Sequence, residues 1–338
     1  GLIYPGKSNT CVNDLDGDAE ITGLDLIYRE SSTVCDGAAG TPSSVNPLIN
    51  CIDEDGNQKI DDLVGWNFYG IRTNPSDDHY HGTHVAGIAA GNGDLKGVAP
   101  HASILSVKVL NKNGSGTWSD IISGMEYVAN SPYAPLAQVI NMSLGSSGSS
   151  SSNSSISLAA DRTVEAGVIV VIAAGNSGGT SFTIGDPGTS KKSITVAASS
   201  AIDNSVTDTV AAFSSKGPTL PEFDLKPDIS APGVSICSAR YDSARADKLQ
   251  CQDTSHISLS GTSMATPHIA GAALLVKQKY PYFSPDQVKS FLIQTAVDLA
   301  LPSHYQGAGR VNLANASITR LVVSPAKINF GIDDQNLS

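Results

Sequence analysis

Residues 258–275 read SLSGTSMATPHIAGAALL, and this stretch determines how the C-terminal third of the chain is interpreted. The run from Met264 onward is rich in Ala, Ile and Leu, which predicts a buried helix, and the small residues Gly261 and Thr262 form the turn into it. Ser263 therefore lies at or near the helix N-terminus. A serine at that position is most often a cap, whose hydroxyl accepts a backbone N–H. Residues elsewhere in the chain decide whether it has another role.

Outward from this helix, the chain from about residue 80 alternates two kinds of segment. Short β-branched runs predict buried strands within residues 102–110, 137–145, 167–176 and 193–199. Ala- and Gly-containing segments predict helices within residues 81–91, 118–130, 156–167 and 262–280. Apolar strands that alternate with helices indicate an α/β fold, in which a parallel sheet is covered on both faces. Functional side chains in such sheets gather at the carboxyl ends of the strands.

Composition narrows the class of protein. The chain has 338 residues and a formal charge of -11, which argues against nucleic-acid and anionic-membrane partners. No apolar run is long enough to span a bilayer, and neither an initiating Met nor a signal peptide is present, so we expect a mature or trimmed piece of a secreted protein. The five cysteines lack zinc-site spacing, and we expect disulfides between Cys237 and Cys251 and between two of Cys11, Cys35 and Cys51.

Three segments depart from the alternating pattern. Residues 5–75 are rich in Asp, Asn, Gly and Cys, which predicts an acidic, Cys-containing insertion in a domain that covers residues 1–319. The tract GSSGSSSSNSS at 145–155 predicts a flexible surface loop. Residues 320–338 begin an alternating β-like pattern, and we expect them to start a further β-rich module.

Two other residues give Ser263 a possible catalytic role. A serine is a poor nucleophile until a base removes its proton, and acyl transfer also needs donors for the developing oxyanion. His81 begins a small-residue helix, and Asn176 follows a predicted strand directly, where we expect its side-chain amide to face a cleft. Each residue alone has an ordinary explanation. A histidine before a glycine is more often a helix cap or a packed ring, and an Asn-Ser-Gly sequence is more often a turn. The combination of His81, Asn176 and Ser263 in one chain favours a catalytic site.

At this point the chain resembles the subtilisin-like serine protease family over roughly residues 55–315. The resemblance rests on several separate blocks in family order: HGTHVAG, GVAPHASILSVKVL, VINMSLG, VVIAAGNSG, FSSKGP, KPDISAPGVSI and GTSMATPHIAGAAL. It implies a subtilisin-like three-layer fold with a mostly parallel sheet and helices on both faces. It also implies that His81 is the general base, Ser263 the nucleophile and Asn176 the oxyanion donor, aided by the Ser263 backbone N–H. We expect His84, His268 and the remaining histidines to be structural.

The resemblance also implies how a polypeptide substrate binds. An extended peptide would add as a strand along two short segments, and backbone hydrogen bonds would give broad specificity. A side-chain pocket edged by small residues would favour a large apolar or aromatic residue on the acyl side of the cut bond. The strand segments are Ser143, Leu144 and Gly145 together with Gly114, Ser115 and Gly116, and the pocket residues are Ala173, Ala174 and Gly175.

The family's third catalytic residue is an Asp in an Asp-(Ser/Thr)-Gly turn before the histidine. No such triplet precedes His81, and no carboxylate there follows a β-branched strand. Asp77 and Asp78 stand too close to His81 for this role. We interpret Gly1 as the glycine of that turn, which places the catalytic Asp and its strand just upstream of the chain given.

Two acidic loops have the spacing of calcium ligands. Hard oxygen ligands at alternating positions suit calcium, although Asp-rich turns are often only solvated. The first loop has Ala19 where a calcium loop has glycine, and the second lacks a carboxylate at its twelfth position. We expect at least one structural calcium ion, held by members of two groups: Asp14, Asp16, Asp18 and Asp25, and Asp53, Asp55, Asn57 and Asp61.

These observations predict a secreted, monomeric serine endopeptidase of broad specificity that acts through an acyl-serine. The alternative is a catalytically silent subtilase-like module used for binding or as a scaffold, which the missing Asp favours. An esterase of the α/β-hydrolase kind would need a GxSxG motif around the serine and a catalytic histidine after it, whereas residues 261–265 read GTSMA and the candidate base, His81, precedes Ser263. A zinc site at His81 and His84 is not expected, because this pair lacks an adjacent Glu and a third ligand.

Overall fold

The structure is a computed structural model, which describes residues 65–70, 75–130, 136–200, 208–241, 251–325 and 327–328. The strands are β1 (Gly65–Asn67), β2 (Ser106–Lys108), β3 (Val139–Met142), β4 (Ile169–Ala173), β5 (Ile194–Ser199), β6 (Ile229–Pro232), β7 (Ile236–Ala239) and β8 (His256–Leu259). The helices are α1 (Tyr80–Ala90), α2 (Trp118–Ala129), α3 (Ser155–Glu165), α4 (Thr262–Lys279), α5 (Pro285–Gln294), α6 (Ser303–Gln306) and α7 (Leu313–Ile318).

The main sheet is parallel and follows chain order, β3-β4-β5-β6. Its strands are short apolar runs, and every residue of β4 and β5 is buried. Alternate side chains of β4 enter two different cores: Ile169 and Val171 pack on one face of the sheet, and Val170 and Ile172 on the other. Such burial on both sides is what continuous apolar strands without polar alternation predict.

Helices cover both faces of this sheet. On one side α4 and α5 contribute Ala265, Ile269 and Phe291 to the core, and on the other α2 and α3 contribute Ile121 and Ile156. The α/β fold with three layers and a mostly parallel sheet is therefore confirmed. Two strand pairs lie apart from the main sheet, the parallel pair β1-β2 and the antiparallel pair β7-β8.

Helix α2 packs on both β2 and the main sheet. A Cβ placed on Gly124 would lie 2.8 Å from a methyl group of Val109 and 2.9 Å from one of Val107, so this face of α2 lies directly against β2 and its extension. Met125 of the same helix belongs to the cluster that contains Met142 of β3. Within the described residues, β2 pairs only with β1, and β3 only with β4.

The Gly/Ser tract at 145–155 differs from the predicted flexible surface loop. Ser152 is fully buried, and the Glu222 carboxylate accepts hydrogen bonds from the Ser152 N–H (3.2 Å), the Asn153 side-chain amide (2.9 Å) and the Ser151 hydroxyl (2.5 Å). The prediction of an exposed loop is therefore wrong at Ser152. Composition could not show this, because the anchoring carboxylate lies some 70 residues further along the chain.

Several predictions fall wholly or mainly outside the described residues. They concern the acidic insertion, its cysteines, the proposed calcium ligands and most of residues 320–338. Residues 320–325 form no strand, and the Val323 N–H donates a hydrogen bond to the Gln294 side chain of α5 (3.1 Å).

Cys237 and Cys251 form the predicted disulfide. None of the helices within the described ranges has the length and hydrophobicity that crossing a membrane requires.

Candidate active site

Ser263 is the second residue of α4, and its hydroxyl does not cap the helix. The N-cap residue is Gly261, which makes no side-chain cap hydrogen bond. The Ser263 hydroxyl instead lies 3.4 Å from the carbonyl oxygen of Ser143, just beyond β3, and the Ser143 hydroxyl donates to the Ser263 carbonyl oxygen (2.8 Å). The Asn141 side-chain amide donates to the Ser143 hydroxyl in turn (3.0 Å). These bonds hold the start of α4 against the end of β3.

Asn176 lies beyond the carboxyl end of β4, next to the start of α4. Its Oδ1 atom accepts hydrogen bonds from the Thr262 N–H (2.9 Å) and the Thr262 hydroxyl (3.0 Å). These two bonds identify the oxygen end of the Asn176 amide, so the end that points away from Thr262 is the NH₂ group. A Cβ placed on Gly261 would lie 3.6 Å from Asn176 Nδ2 and 3.7 Å from the Ser263 nitrogen. The Asn176 amide nitrogen and the Ser263 backbone nitrogen therefore both lie within 4 Å of one point next to Gly261.

His81 lies at the same end of the molecule as Ser263 because α1 and α4 pack side by side. Val85 of α1 and Met264 of α4 share a small apolar cluster. Further along both helices, a Cβ placed on Gly271 would lie 3.1 Å from the carbonyl oxygen of Ala89. The helices thus run in the same direction, and their N-termini, which carry His81 and Ser263, are neighbours.

The imidazole of His81 is neutral at physiological pH. Burial lowers the pKa of His81 from 6.5 to about 4, the rings of His79 and His84 add to this effect, and Asp77 acts in the opposite direction. A neutral imidazole is the form that accepts a proton. Within the described residues, no carboxylate hydrogen-bonds to the His81 ring, so nothing described there holds the ring in one tautomer.

The two carboxylates just before His81 have other partners, which agrees with their exclusion as the third catalytic residue. Asp77 accepts hydrogen bonds from the Thr83 N–H (2.6 Å) and the Thr83 hydroxyl (2.7 Å), and so anchors the first turn of α1. Asp78 forms an ion pair with Lys108 at the end of β2.

His84 and His268 have structural contacts, as predicted. His84 is fully buried, and its Nε2 lies 3.1 Å from the Ile236 carbonyl oxygen and 3.0 Å from that of Ile257. Nδ1 of His268 donates to the carbonyl oxygen of Met264 within α4 (2.8 Å). Burial lowers the pKa of both rings.

The predicted substrate-binding residues lie in two stretches, one that begins at Ser143 and one in a separate turn. Leu144 and Gly145 follow Ser143 along the chain, and the Ser146 N–H donates to the carbonyl oxygen of Asp186 (2.8 Å), which fixes this stretch against residues 184–188. Gly114, Ser115 and Gly116 are exposed and form part of a turn in which Asn111 N–H donates to Ser115 O (2.9 Å). Gly114 has φ +75°, which favours glycine at this position.

The predicted pocket residues differ in exposure. Ala173 ends β4 and is 6% exposed, and Ala174 is fully buried, with its N–H donating to Val196 O (3.0 Å). Gly175 is half-buried. Of the three, only Gly175 therefore has appreciable exposure.

Thr262 and Asn141 were not selected from the sequence, although both position the site. Thr262 stands next to Ser263, but its hydrogen bond to Asn176, 86 positions away, has no signature in the local sequence.

The part of the chain that the structure describes contains no group of three or more His, Cys, Asp or Glu side chains able to hold a metal ion.

Comparison with protein families and curated proteins agrees with this geometry. Residues 19–309 match the model of the Subtilase family. Serine protease AprX of Bacillus subtilis (strain 168) is 43% identical over 268 residues, which cover 72% of this chain and 59% of AprX. Subtilisin DY of Bacillus licheniformis is 40% identical over 258 residues, which cover 75% of this chain and 83% of that protein. The chain thus spans about three fifths of AprX and a larger share of subtilisin DY.

Solved protease structures also resemble this chain in fold and sequence. Sphericase superimposes with a TM-score of 0.61 at 34% identity, covering 73% of this chain and 83% of sphericase. The S41 psychrophilic protease superimposes with a TM-score of 0.59 at 35% identity, covering 70% of this chain and 79% of that one. With the family match across most of the chain and these likenesses in sequence and fold, the chain belongs to the subtilase family.

Proposed function

We propose that the protein is a serine endopeptidase of the subtilisin type, which cleaves polypeptides through an acyl-serine intermediate. The observation that carries the proposal is the arrangement at the start of α4, where Asn176 Nδ2 and the Ser263 backbone nitrogen lie near one point beside Gly261, with the Asn176 oxygen occupied by Thr262. A pair of fixed donors next to a nucleophile is what a tetrahedral oxyanion requires. A catalytically silent module would have no need of this arrangement.

The proposed reaction has two halves. The Ser263 hydroxyl turns from the Ser143 carbonyl oxygen toward His81, His81 takes its proton, and the Ser263 oxygen attacks the peptide carbonyl carbon. Asn176 Nδ2 and the Ser263 N–H donate to the resulting oxyanion. His81 then gives the proton to the leaving amine, and the C–N bond breaks. Water repeats the sequence on the acyl-serine, which releases the acid and restores the Ser263 hydroxyl.

A fluorophosphonate probe tests this proposal directly, because it reacts only with an activated serine. The protein is tested with and without the residues encoded upstream of Gly1, and peptide mapping of the labelled protein is expected to locate the probe on Ser263. Ser263→Ala should remove the label, and Ser260→Ala, a matched change of an exposed serine three residues away, should retain it. If every folded form stays unlabelled, the enzymatic proposal is wrong and the binding or scaffold alternative is favoured.

For the third catalytic residue, we propose a carboxylate on a strand outside the described residues. Two observations support this: the His81 ring has no described carboxylate partner, and the sheet is interrupted between β2 and β3 although α2 covers both. A carboxylate there would fix the imidazole tautomer and stabilise the imidazolium that forms during attack.

The substrate would bind as an added strand along Gly114–Gly116 on one side and Ser143–Gly145 on the other, with its acyl-side residue near Gly175. Because backbone hydrogen bonds would supply much of the affinity, we propose broad sequence tolerance with a preference for a large apolar or aromatic residue at the cut bond.

We also propose that the protein is secreted, monomeric and stabilised by calcium. The Cys237–Cys251 disulfide supports an oxidising compartment. The acidic loops at 14–25 and 53–61 have oxygen ligands of the kind that calcium prefers, and they lie outside the described residues.

A further inference from the structure

The turn formed by residues 211–215 contacts the backbone on both sides of Asn176. The Ser215 N–H donates to the Gly175 carbonyl oxygen (2.9 Å), and the Ser215 hydroxyl accepts from the Ser177 N–H (3.1 Å). That carbonyl and that N–H belong to the two peptide groups that flank Asn176. A single residue therefore holds both of these peptide groups.

Ser215 fits closely against this backbone. Its side chain is fully buried, and a Cβ placed on Gly175 would lie 2.8 Å from the Ser215 Oγ atom. Gly175 also has φ +105°, a conformation that favours glycine. The hydroxyl thus lies directly against the backbone at residue 175, and a Ser215→Ala change would leave the Ser177 N–H without its acceptor.

The 211–215 turn is itself fixed to the main sheet. The Ala211 N–H donates to the carbonyl oxygen of Ala198 in β5 (2.8 Å), and the Ser214 hydroxyl accepts from the Ala198 N–H (3.1 Å). Every residue of β5 is buried. The support for the Asn176 backbone is therefore attached to a fully buried strand and not only to the loop that carries Asn176.

Asn176 depends on this support because the residue itself is exposed. Its side-chain oxygen is held by Thr262, and its flanking peptide groups are held by Ser215. The place of Nδ2 relative to Ser263 depends on both constraints. A donor stabilises an oxyanion only within hydrogen-bond distance, and a displacement of about 1 Å can cost on the order of 10² in rate.

We propose that Ser215 is a positioning residue for the oxyanion donor: its N–H and its hydroxyl fix the two peptide groups that flank Asn176 and so hold Asn176 Nδ2 where the oxyanion forms. The inference rests on the proposed endopeptidase function. It assigns to Ser215 a contribution to kcat that is exerted entirely through Asn176.

Ser214 provides a matched control within the same turn. Like Ser215 it is fully buried, and its hydroxyl also accepts one backbone N–H at 3.1 Å. The donor to Ser214 belongs to β5, whereas the donor to Ser215 belongs to the loop that carries Asn176. Ser214→Ala and Ser215→Ala should therefore lower the melting temperature by similar amounts, and only Ser215→Ala should displace the oxyanion donor.

The measurement is a double-mutant cycle in kcat with Asn176→Ala, on one peptide substrate and well below the lowest melting temperature of the set. The protein used is the form that the fluorophosphonate probe labels. Ser215→Ala should lower kcat by roughly tenfold at unchanged KM, since a displaced donor loses part of what a removed donor loses. In the Asn176→Ala background the same change should alter kcat by less than about twofold, because the group that Ser215 positions is already absent.

Two further variants complete the set. Ser214→Ala should alter kcat by less than about twofold in either background, because distant, independent contacts add without coupling. Ser215→Cys keeps a weaker acceptor in the same place, so its kcat should lie between those of Ser215→Ala and the wild type. This variant also serves for the cycle if Ser215→Ala does not fold.

Three results would overturn the proposal. The first is an unchanged kcat in the Ser215 variants, and the second is the same fall in kcat with and without the Asn176 side chain. The third is an equal fall in Ser214→Ala, which would assign the effect to the stability of the turn. Each of these, with Ser263 still labelled, would leave the endopeptidase proposal intact, whereas an unlabelled wild type would reject that proposal and this inference with it.

Discussion

At the scale of single residues, the orientation of the Asn176 amide is the feature with the clearest catalytic consequence. Thr262 occupies the amide oxygen with two hydrogen bonds, which leaves the NH₂ group for an oxyanion. A donor held in place before the substrate arrives needs no reorganisation during the reaction. Its contribution should therefore appear in the transition state and not in substrate binding.

We predict that Asn176→Ala lowers kcat by on the order of 10² to 10³ and changes KM little, the pattern expected when a group acts only on the transition state. Asn176→Asp should be equally impaired, because the carboxylate still accepts from Thr262 but has no N–H to donate. Steady-state kinetics on one peptide substrate measure both. A rise in KM at unchanged kcat would place Asn176 in substrate binding instead.

The buried histidines predict how stability depends on pH. Burial lowers the pKa of His81 to about 4, and that of His84 and His268 in the same direction. Between about pH 4 and pH 6.5 the unfolded chain therefore binds more protons at His81 than the folded protein does, and stability must rise with pH across this window. Urea unfolding at half-unit pH intervals should show the midpoint increasing from pH 4 to pH 6.5.

A variant that lacks one of these histidines tests whether their rings cause the pH dependence of stability. His268→Gln keeps a side-chain N–H that can reach the Met264 carbonyl oxygen but removes a titrating group, so its midpoint should depend less steeply on pH. A wild-type midpoint that is constant or falls across the window would show that these rings are not held neutral in the folded protein.

The sequence predicted which residues form the candidate site better than it predicted how they are held. His81, Ser263 and Asn176 came from short patterns at helix starts and strand ends, and their packing agrees with those positions. The Asn176–Thr262 and Ser143–Ser263 bonds join residues 86 and 120 positions apart, and no local pattern encodes such contacts. The side-chain exposure of Ala174 also depends on tertiary packing.

At the scale of elements, the interruption between β2 and β3 is the main feature. Strands β2 and β3 are only half-buried at most positions, whereas β4 and β5 are fully buried. Among the described residues, β2 and β3 each have one neighbouring strand. Parallel strands within a covered sheet normally pair on both edges, because an unpaired backbone N–H or C=O in the core is costly.

We predict that the carboxylate that orients His81 lies on a strand between β2 and β3, outside the residues that the structure describes. If Gly1 ends the catalytic turn, adding the encoded upstream residues should raise kcat by on the order of 10⁴, the cost of losing that carboxylate from a serine protease triad, and should raise the melting temperature. Peptidase assays and thermal unfolding of the two forms measure both effects.

The contrary result is equally specific. Full activity of residues 1–338 alone, abolished by replacing one acidic residue before His81 with its amide, would place the carboxylate within the chain. The interpretation of Gly1 as the end of the catalytic turn would then be wrong.

Elements that carry an apolar or Ala-rich run were predicted, including the short strands β2 and β3, whereas elements without such a run were not. The predicted helices around 118–130 and 262–280 correspond to α2 and α4. Strand β1 has only three residues and β6 ends in proline, so neither provides a periodic pattern. Helix α5 was overlooked although Ser284 and Gln287 form a capping box, a signal that the sequence does contain.

At the scale of the whole molecule, the charge is unevenly placed. The chain carries a formal charge of -11, and the two acidic loops, 14–25 and 53–61, bring many carboxylates close together in sequence. Like charges repel until a cation lies among them, and an ion that binds only the folded form stabilises it by mass action.

We therefore predict that excess chelator lowers the melting temperature and that calcium at millimolar concentration restores it. Magnesium is the control, because it requires a near-ideal octahedral site and gives up its water ligands reluctantly, whereas calcium accepts six to eight oxygen ligands in variable geometry. A melting temperature that is the same with chelator and with calcium would leave these loops as solvated turns.

The anchored Gly/Ser tract at 145–155 has a consequence for a protease stored among copies of itself. Small, polar, unstructured stretches are the usual places where chains are nicked, because a protease must draw its substrate into an extended form. Here Glu222 binds three successive residues of the tract, and the middle one, Ser152, is fully buried. If the protein is a peptidase, the stretch whose composition most favours cleavage is thus held in place by a carboxylate distant in sequence, and replacing Glu222 should make this tract easier for a second molecule to cleave.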